Sequence, residues 1–492
     1  MRSRTSEAGR AWPYLLLAVV LLIAGGGVAA YGLGYLDRWV CEDGTCEARQ
    51  PERAAVPDTP PAPALRPVLA AAPDPGLDAA AVQKAVGPLL GRKALGSHVG
   101  FAVSDLSTGK QVWSSGTGTF APASTLKLFT ALAAVTSIGA EHRFRTTVLH
   151  DTTGTGTGGS VTPGTAAPPA TDAPSPAPAR IVLVGGGDPY LTATSGPEAR
   201  GSYPQQASLA QLARRTAAAL KADGVTEVSL GYDPSLFTGP AVSPAWEPTY
   251  ITSFVTTPVS ALWVDQGMDG WRRSAKPDRQ AAQVFARQLR ARGIAVSTVA
   301  KAARPVESEE LAAITSATVA QIVQSVIENS DNQAAEVLLR HIALAEDQPA
   351  SFAGGVKAVE SVLSGLGIPW QGNTVYDGSG LARGNRVTLA SMLAVVTSGS
   401  ELFDRYPVAG FNGSLAARFT ATGTEPALGA VRAKTGTLSG VHSLAGTTTT
   451  RDGTPVGFVL MTDRVPVPKT LDARTTLDRI TARLSACTCA SG

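Results

Sequence analysis

Ser124-Thr-Leu-Lys127-Leu-Phe-Thr-Ala-Leu-Ala-Ala-Val135 is the stretch from which the rest of the chain can be read. Its apolar residues and helix formers predict a helix beginning at or next to Ser124, with the serine oxygen near the positive end of the helix dipole. Ser124 and Lys127 stand three apart, so they share a helix face with Cβ atoms roughly 5 to 6 Å apart. A lysine so placed can take the serine proton if burial or a neighbouring cation lowers its pKa. Alone the pair is weak, because a serine and a lysine at this spacing recur by chance. Two further motifs, Ser330-Asp-Asn332 and Lys434-Thr-Gly436, follow far downstream in a fixed order. The combination describes a serine nucleophile, a lysine base, a second Ser/Asn pair and a strand-borne Lys-Thr-Gly. In this scheme Lys434 is the cation beside Lys127, Ser330 relays a proton to the leaving group, and Asn332 holds a substrate amide by its paired donor and acceptor. The oxyanion needs two aimed N–H donors; by position these are the backbone amides of Ser124 and Thr437.

Around these motifs the chain alternates helical and strand patterns. Residues 78–90 have helical spacing, 98–104 and 111–114 read as a hairpin, and 319–327 and 333–342 read as two helices, so Ser330-Asp-Asn332 is a helix–helix turn. Near the C-terminus, residues 430–433 lead as a strand into Lys434, 443–450 and 455–463 form a hairpin, and 471–484 read as a last helix. The interval between the first two motifs reads as an insertion. It carries a Gly/Thr/Pro/Ala stretch at 152–178 without chemistry, strands at 181–184, 227–230 and 294–299, and helices at 209–222 and 279–292. Gly185-Gly-Gly-Asp188-Pro is expected to be a turn and not a phosphate cradle, since it lacks the Gly-x-Gly-x-x-Gly spacing.

The motif set resembles the D-alanyl-D-alanine carboxypeptidase/endopeptidase family, the class C low-molecular-mass penicillin-binding proteins. The similarity extends to Val184-Gly-Gly-Gly-Asp-Pro189, Pro258-Val-Ser-Ala-Leu262, Asp377-Gly-Ser-Gly-Leu381 with Arg383 and Asn385, and Gly436-Thr-Leu-Ser-Gly-Val441 with Ser443-Leu-Ala-Gly446. It covers roughly residues 77–484. It implies an α+β fold: a penicillin-recognising serine transpeptidase-like domain, an antiparallel sheet flanked by helices, in parts 77–144 and 304–486 around an accessory α+β region at 145–303. It implies a serine peptidase acting on the D-Ala-D-Ala end of peptidoglycan stem peptides and acylated by penicillins. Ser124, Lys127, Ser330, Asn332 and Lys434 are then catalytic, and Thr435, Gly436 and Thr437 bind substrate. Ala382 departs from the family pattern where a serine is common. A β-lactamase would use the same motifs but needs rapid deacylation, commonly by a glutamate-activated water, and no such glutamate motif is evident between Ser124 and Ser330. A non-catalytic wall-binding protein of the same fold would be free to lose these residues, which are intact.

Composition sets the frame. The chain has 492 residues, 44% of them hydrophobic, and a formal net charge of +3; it can build real cores, and nothing argues for a nucleic-acid surface. The five histidines are scattered, so no metal site and no cofactor are expected. Arg2, Arg4 and Arg10 precede a nearly unbroken apolar run at 11–36 closed by Asp37 and Arg38. Residues 1–38 are long enough to span a bilayer, oriented with the rest of the chain outside the cytoplasm. The expectation is a single-pass membrane protein with an extracytoplasmic catalytic domain, 39–76 being a Pro/Ala-rich stalk; the alternative is signal cleavage near Val28-Ala29-Ala30 and release. Four cysteines, Cys41, Cys46, Cys487 and Cys489, favour disulfides in that compartment. Pairing the two ends with each other is expected, because a Cys487–Cys489 bridge closes across one residue.

Overall fold

The structure, a computed structural model, describes residues 76–152, 178–194 and 203–491. The expected anchor and stalk, Cys41, Cys46 and nearly all of the 152–178 stretch lie outside the described residues. Among the described residues no helix is long and apolar enough to cross a membrane.

Asp78 starts the first helix, α1 (Ala79–Leu90), by accepting the Ala81 N–H at 2.6 Å, which satisfies one of the donors a helix start leaves unpaired. The hairpin β1 (Val99–Asp105) and β2 (Lys110–Ser115) follows, then α2 (Lys127–Ser137). The chain then leaves this domain and builds β3 (Arg143–Asp151), β4 (Ala179–Val184), α3 (Leu209–Ala222), β5 (Glu227–Asp233), α4 (Pro277–Arg290), β6 (Ala295–Lys301) and β7 (Ser308–Thr318). It returns through α5 (Val319–Asn329), α6 (Asn332–Ala345), α7 (Phe352–Gly365) and α8 (Leu389–Ser398). It ends with β8 (Arg432–Leu438), β9 (Val441–Thr449), β10 (Pro455–Thr462) and α9 (Thr470–Ser485).

The catalytic-domain sheet has the order β8-β9-β10-β1-β2, with every neighbouring pair antiparallel. Side chains alternate between its faces as the strand period demands. Phe101, Val103, Phe458 and Leu460 pack with Val82 and Val86 of α1 and Leu477, Ile480 and Leu484 of α9. Ala102, Val459 and Met461 turn the other way, into the larger core shared with α2, α5, α6, α7 and α8. The result is an α+β sandwich whose sheet is covered by helices on both faces, as the resemblance implied.

The accessory region has its own sheet, β7-β3-β4-β5-β6. β7–β3 and β3–β4 are antiparallel, whereas β4–β5 and β5–β6 are parallel, because α3 and α4 serve as the crossovers that parallel pairing requires. Ile181, Leu183, Val228 and Leu230 pack with Leu212 and Leu220 of α3 and Phe285 and Leu289 of α4 in a separate core. The boundaries expected at 145 and 303 shift outward: β3 starts at Arg143, and β7, paired along it, extends the sheet to Thr318. The turn at 185–187 is packed and not open. A side chain on Gly187, at φ +70°, would strike the ring of His341, and Gly187 O lies 3.0 Å from His341 Nε2.

The end-to-end cysteine pairing is overturned. Cys487 is bonded to Cys489. Their Cα atoms are 5.2 Å apart, inside the range of ordinary disulfides, so one intervening residue suffices. Both residues are buried in the core between α1 and α9. The tie between the two ends of this domain is instead backbone: Asp78 N donates to Cys489 O at 2.7 Å and Ser491 N to Gly76 O at 2.9 Å. Non-reducing tryptic mapping should therefore recover the peptide 484–492 internally oxidised and not joined to the peptide 39–49; a crosslinked pair would contradict the observed bond.

Candidate active site

Helix α2 is buried at every position from Lys127 to Ala134. A helix apolar on all sides belongs in an interior, and this one carries a lysine in its first turn, so the amine is delivered where water does not reach. Lys127 has no solvent exposure. Ser124 is not on the α-helix itself: it lies in the 3-10 turn Ala123–Leu126 that precedes it, so regular helix begins three residues later than the serine. The turn still brings the pair together, with Lys127 Nζ 3.0 Å from Ser124 Oγ.

Two more groups complete the shell of the amine. Nζ donates to Asn332 Oδ1 at 2.7 Å and to the Ser379 carbonyl at 2.6 Å. Both partners can only accept, so they take two N–H bonds, whereas the Ser124 hydroxyl can donate. A neutral amine held by these two acceptors therefore turns its lone pair toward the Ser124 proton. Burial pushes the Lys127 pKa down to about 8, against the opposing pull of Glu336, Asp377 and Asp331. The lowering comes from desolvation, one of the two causes the sequence left open. Asn332 also differs from expectation: its oxygen is committed to Lys127, which leaves its N–H donors for a substrate carbonyl.

The second motif is shaped by helix-end chemistry. Ser330 caps α5 in the left-handed conformation, φ 60° and ψ 36°, a strained state for a residue with a side chain. Asp331 is the N-cap of α6, accepting Ala334 N at 3.0 Å, and Asn332 is its first residue. Among the described residues no hydrogen bond joins Ser330 to Lys127 or Lys434.

Lys434 is likewise fully buried. Its Nζ donates to Thr435 O at 3.0 Å, and its pKa is held well below the usual lysine range by burial and then by the charges of Lys127 and Arg418. Thr435 Oγ1 donates to Ser414 Oγ at 3.1 Å. β8 is the edge strand of the sheet, and Gly436 is what lets that edge reach the nucleophile. A Cβ on Gly436 would run into Ser443 Oγ, come within 2.5 Å of Pro122 O and lie 3.1 Å from Ser124 N. Ser443 fixes this seam, donating to Pro122 O at 2.6 Å and accepting from Thr125 Oγ1 at 3.2 Å. Thr437 follows on the same strand edge, exposed.

Several contributors escaped the sequence analysis. Glu336 is wholly buried and accepts Gly378 N at 3.0 Å and Ser379 N at 2.8 Å, which fixes the carbonyl that holds Lys127. Burial and the nearby Asp377 push its pKa up to about 7. Asp377 in turn accepts from Gly380 N, Ala382 N, Asn385 Nδ2 and Trp246 Nε1 at 2.7 to 3.0 Å. A trace was visible: Asn332, Glu336 and Arg340 recur every four residues along a largely buried helix, one polar stripe on one face. The contact from Trp246, which arrives from the accessory region, left no such trace.

Replacing Gly436 by alanine should force β8 off the Ser124 turn. We expect penicillin acylation to fall by about 10- to 100-fold and stability by about 1–3 kcal/mol, read from labelling kinetics and thermal melts; unchanged labelling would show that the strand edge is not needed at this distance.

Residues 82–270 and 266–484 match the model of the D-Ala-D-Ala carboxypeptidase 3 (S13) family. Carboxypeptidase Rv3627c of Mycobacterium tuberculosis is 30% identical over 430 residues, covering 84% of each chain. The crystal structure of penicillin binding protein 4 (dacB) from Haemophilus influenzae superposes with a TM-score of 0.62 at 22% identity, covering 82% of this chain and 98% of that one. A second structure of that protein, complexed with a novel β-lactam, gives 0.57 at 23% identity, with 81% and 98% covered. The chain belongs to the D-Ala-D-Ala carboxypeptidase 3 (S13) family and is a serine D-Ala-D-Ala carboxypeptidase.

Proposed function

We propose that the reaction runs through an acyl-enzyme on Ser124 with Lys127 as its base. The observation that carries this is the shell of the Lys127 amine, two acceptors and one hydroxyl, in a dry site. Neutral Lys127 takes the Ser124 proton as Oγ attacks the carbonyl of the penultimate D-Ala of a peptidoglycan stem peptide. The oxyanion is met by the amides of Ser124 and Thr437, which the close approach of β8 to Ser124 supports. Ser330 passes the proton to the departing amine of the terminal D-Ala, and Lys434 with Thr435 receives its carboxylate. Asn332 donates to the peptide carbonyl. Water then hydrolyses the ester. A penicillin carbonyl meets the same serine and leaves it acylated.

The β-lactamase alternative is disfavoured by Glu336. This glutamate lies behind the loop that holds Lys127, and both of its oxygens are committed to backbone amides, so it is not placed to activate a deacylating water. The membrane association is part of the same proposal, supported by the arginines ahead of the apolar run at 11–36. Retention in the membrane pellet after an alkaline wash would be expected for an anchored chain, and release for a cleaved one.

Digestion of the penicillin adduct should place the label on the peptide containing Ser124, and Ser124→Ala should abolish labelling; attachment elsewhere would refute the nucleophile. The two lysines should respond differently. Lys127→Arg should stop acylation, because arginine stays protonated, while Lys434→Arg keeps a cation for the carboxylate and should retain part; equal loss would contradict the roles. The base acts only when deprotonated, so the acylation rate should climb with pH through about 8, the value to which burial brings Lys127. A profile flat from pH 6 to 9 would remove Lys127 from that role.

A further inference from the structure

The structure assigns Gln266, a residue of the accessory region, as a positioning residue for the Ser330-Asp-Asn332 turn. Gln266 Nε2 donates to Asp331 Oδ2 at 2.6 Å. The other oxygen of Asp331 is already spent on the N-cap of α6, and Gln266 holds the carboxylate from outside its own helix. Asp331 sits between the two residues of the turn that the chemistry uses. Ser330 before it is in the left-handed region, and Asn332 after it grips Lys127. Neither helix alone fixes that junction.

The segment that presents Gln266 is itself shaped for the task. Asp265, Gln266 and Gly267 all have positive φ, at 51°, 52° and 73°. Two residues with side chains in that region are costly and persist where their surroundings over-determine them. Here the surroundings do so. Asp265 N donates to Leu191 O at 2.8 Å, Asp265 Oδ1 accepts Ala193 N at 3.2 Å, and Thr257 Oγ1 donates to Gln266 O at 2.8 Å. Arg273 adds a second brace from the same region. It donates through Nε to Phe254 O at 2.9 Å and through Nη1 to Thr257 Oγ1 at 3.2 Å. With the Gln333 amide turned so that its oxygen faces the guanidinium, Arg273 Nη1 lies 2.9 Å from that oxygen. The accessory region thus grips the residues on either side of Asn332, at Asp331 and at Gln333. It supplies no reacting atom, yet it sets where the reacting turn stands, and displacements near 1 Å are enough to cost about 100-fold in rate.

The test uses the full chain, with the rate of acylation by a fluorescent penicillin as the readout and melting temperature measured alongside. Gln266→Ala should slow acylation about 10-fold or more, the scale of a hydrogen bond to a charged group, with a melting temperature close to that of the parent. Gln266→Glu should be slowed at least as much, since it sets an acceptor against an acceptor. Combining Gln266→Glu with Asp331→Asn restores a donor–acceptor pair with reversed polarity, and should bring acylation back to within about 3-fold of Asp331→Asn alone. Wild-type acylation in Gln266→Ala, or a double variant no faster than Gln266→Glu, would overturn the assignment. So would a loss of acylation in Gln266→Ala matched by a collapse of the melting temperature, since that would mark Gln266 as a general support of the fold.

Discussion

The amine of Lys127 is kept wholly out of water, and the rest of the molecule is arranged around that cost. Lowering a lysine from its ordinary value of 10.5 to about 8 corresponds to roughly 3 kcal/mol of disfavour for the charged form. Because the folded pKa lies below the unfolded one, the penalty on folding is fully present below about pH 8. It is relieved as pH rises from there toward the unfolded value. The same disfavour keeps a base available beside a serine near neutral pH. Three carboxylates, those of Glu336, Asp377 and Asp331, pull the other way and limit how far the amine shifts.

Helix α6 is the element through which the two regions share this site. Its N-terminus supplies Asn332, and its second turn supplies Glu336, which fixes the 377–380 loop. Its third turn supplies Arg340, whose guanidinium donates to Thr238 O, Ala350 O and Pro240 O at 2.6 to 2.9 Å and lies over the Phe352 ring. His341 stacks on Phe144 with ring centroids 3.6 Å apart, and burial drives its pKa down to about 3, so it is a neutral packing group. One helix therefore presents polar groups to the Lys127 amine at one end and to the accessory region along its length.

On the other side of Ser124 stands a strand edge. An edge strand offers unpaired backbone groups to an incoming extended chain, and β8 presents its edge beside Ser124 because Gly436 has no side chain to hold it away. The seam among Ser443, Thr125 and Pro122 stitches that edge to the 3-10 turn. Ser124 is consequently placed beside a strand on one side and near the turn between two helices on the other, at the head of α2.

Much of this was legible in the sequence because it is local. The spacing of Ser124 and Lys127 and the helical pattern of α3 and α9 act within a few residues of themselves, and the structure keeps each of them. The resemblance carried the α+β class and the site residues Ser124, Lys127, Asn332 and Lys434 into one neighbourhood. The bond between Cys487 and Cys489 was misjudged on local geometry, since a bridge across one residue leaves the Cα atoms 5.2 Å apart. The other failures depended on distance in the chain. The end of the accessory sheet was misplaced because a strand belongs to whichever partner it pairs with. The source of the Lys127 shift, the commitment of the Asn332 oxygen, the carboxylates of Glu336 and Asp377 behind the site and the grip of Gln266 on Asp331 were decided by the tertiary structure. Burial and hydrogen-bond partnership are properties of three-dimensional neighbours, and those neighbours stand from tens to hundreds of residues apart.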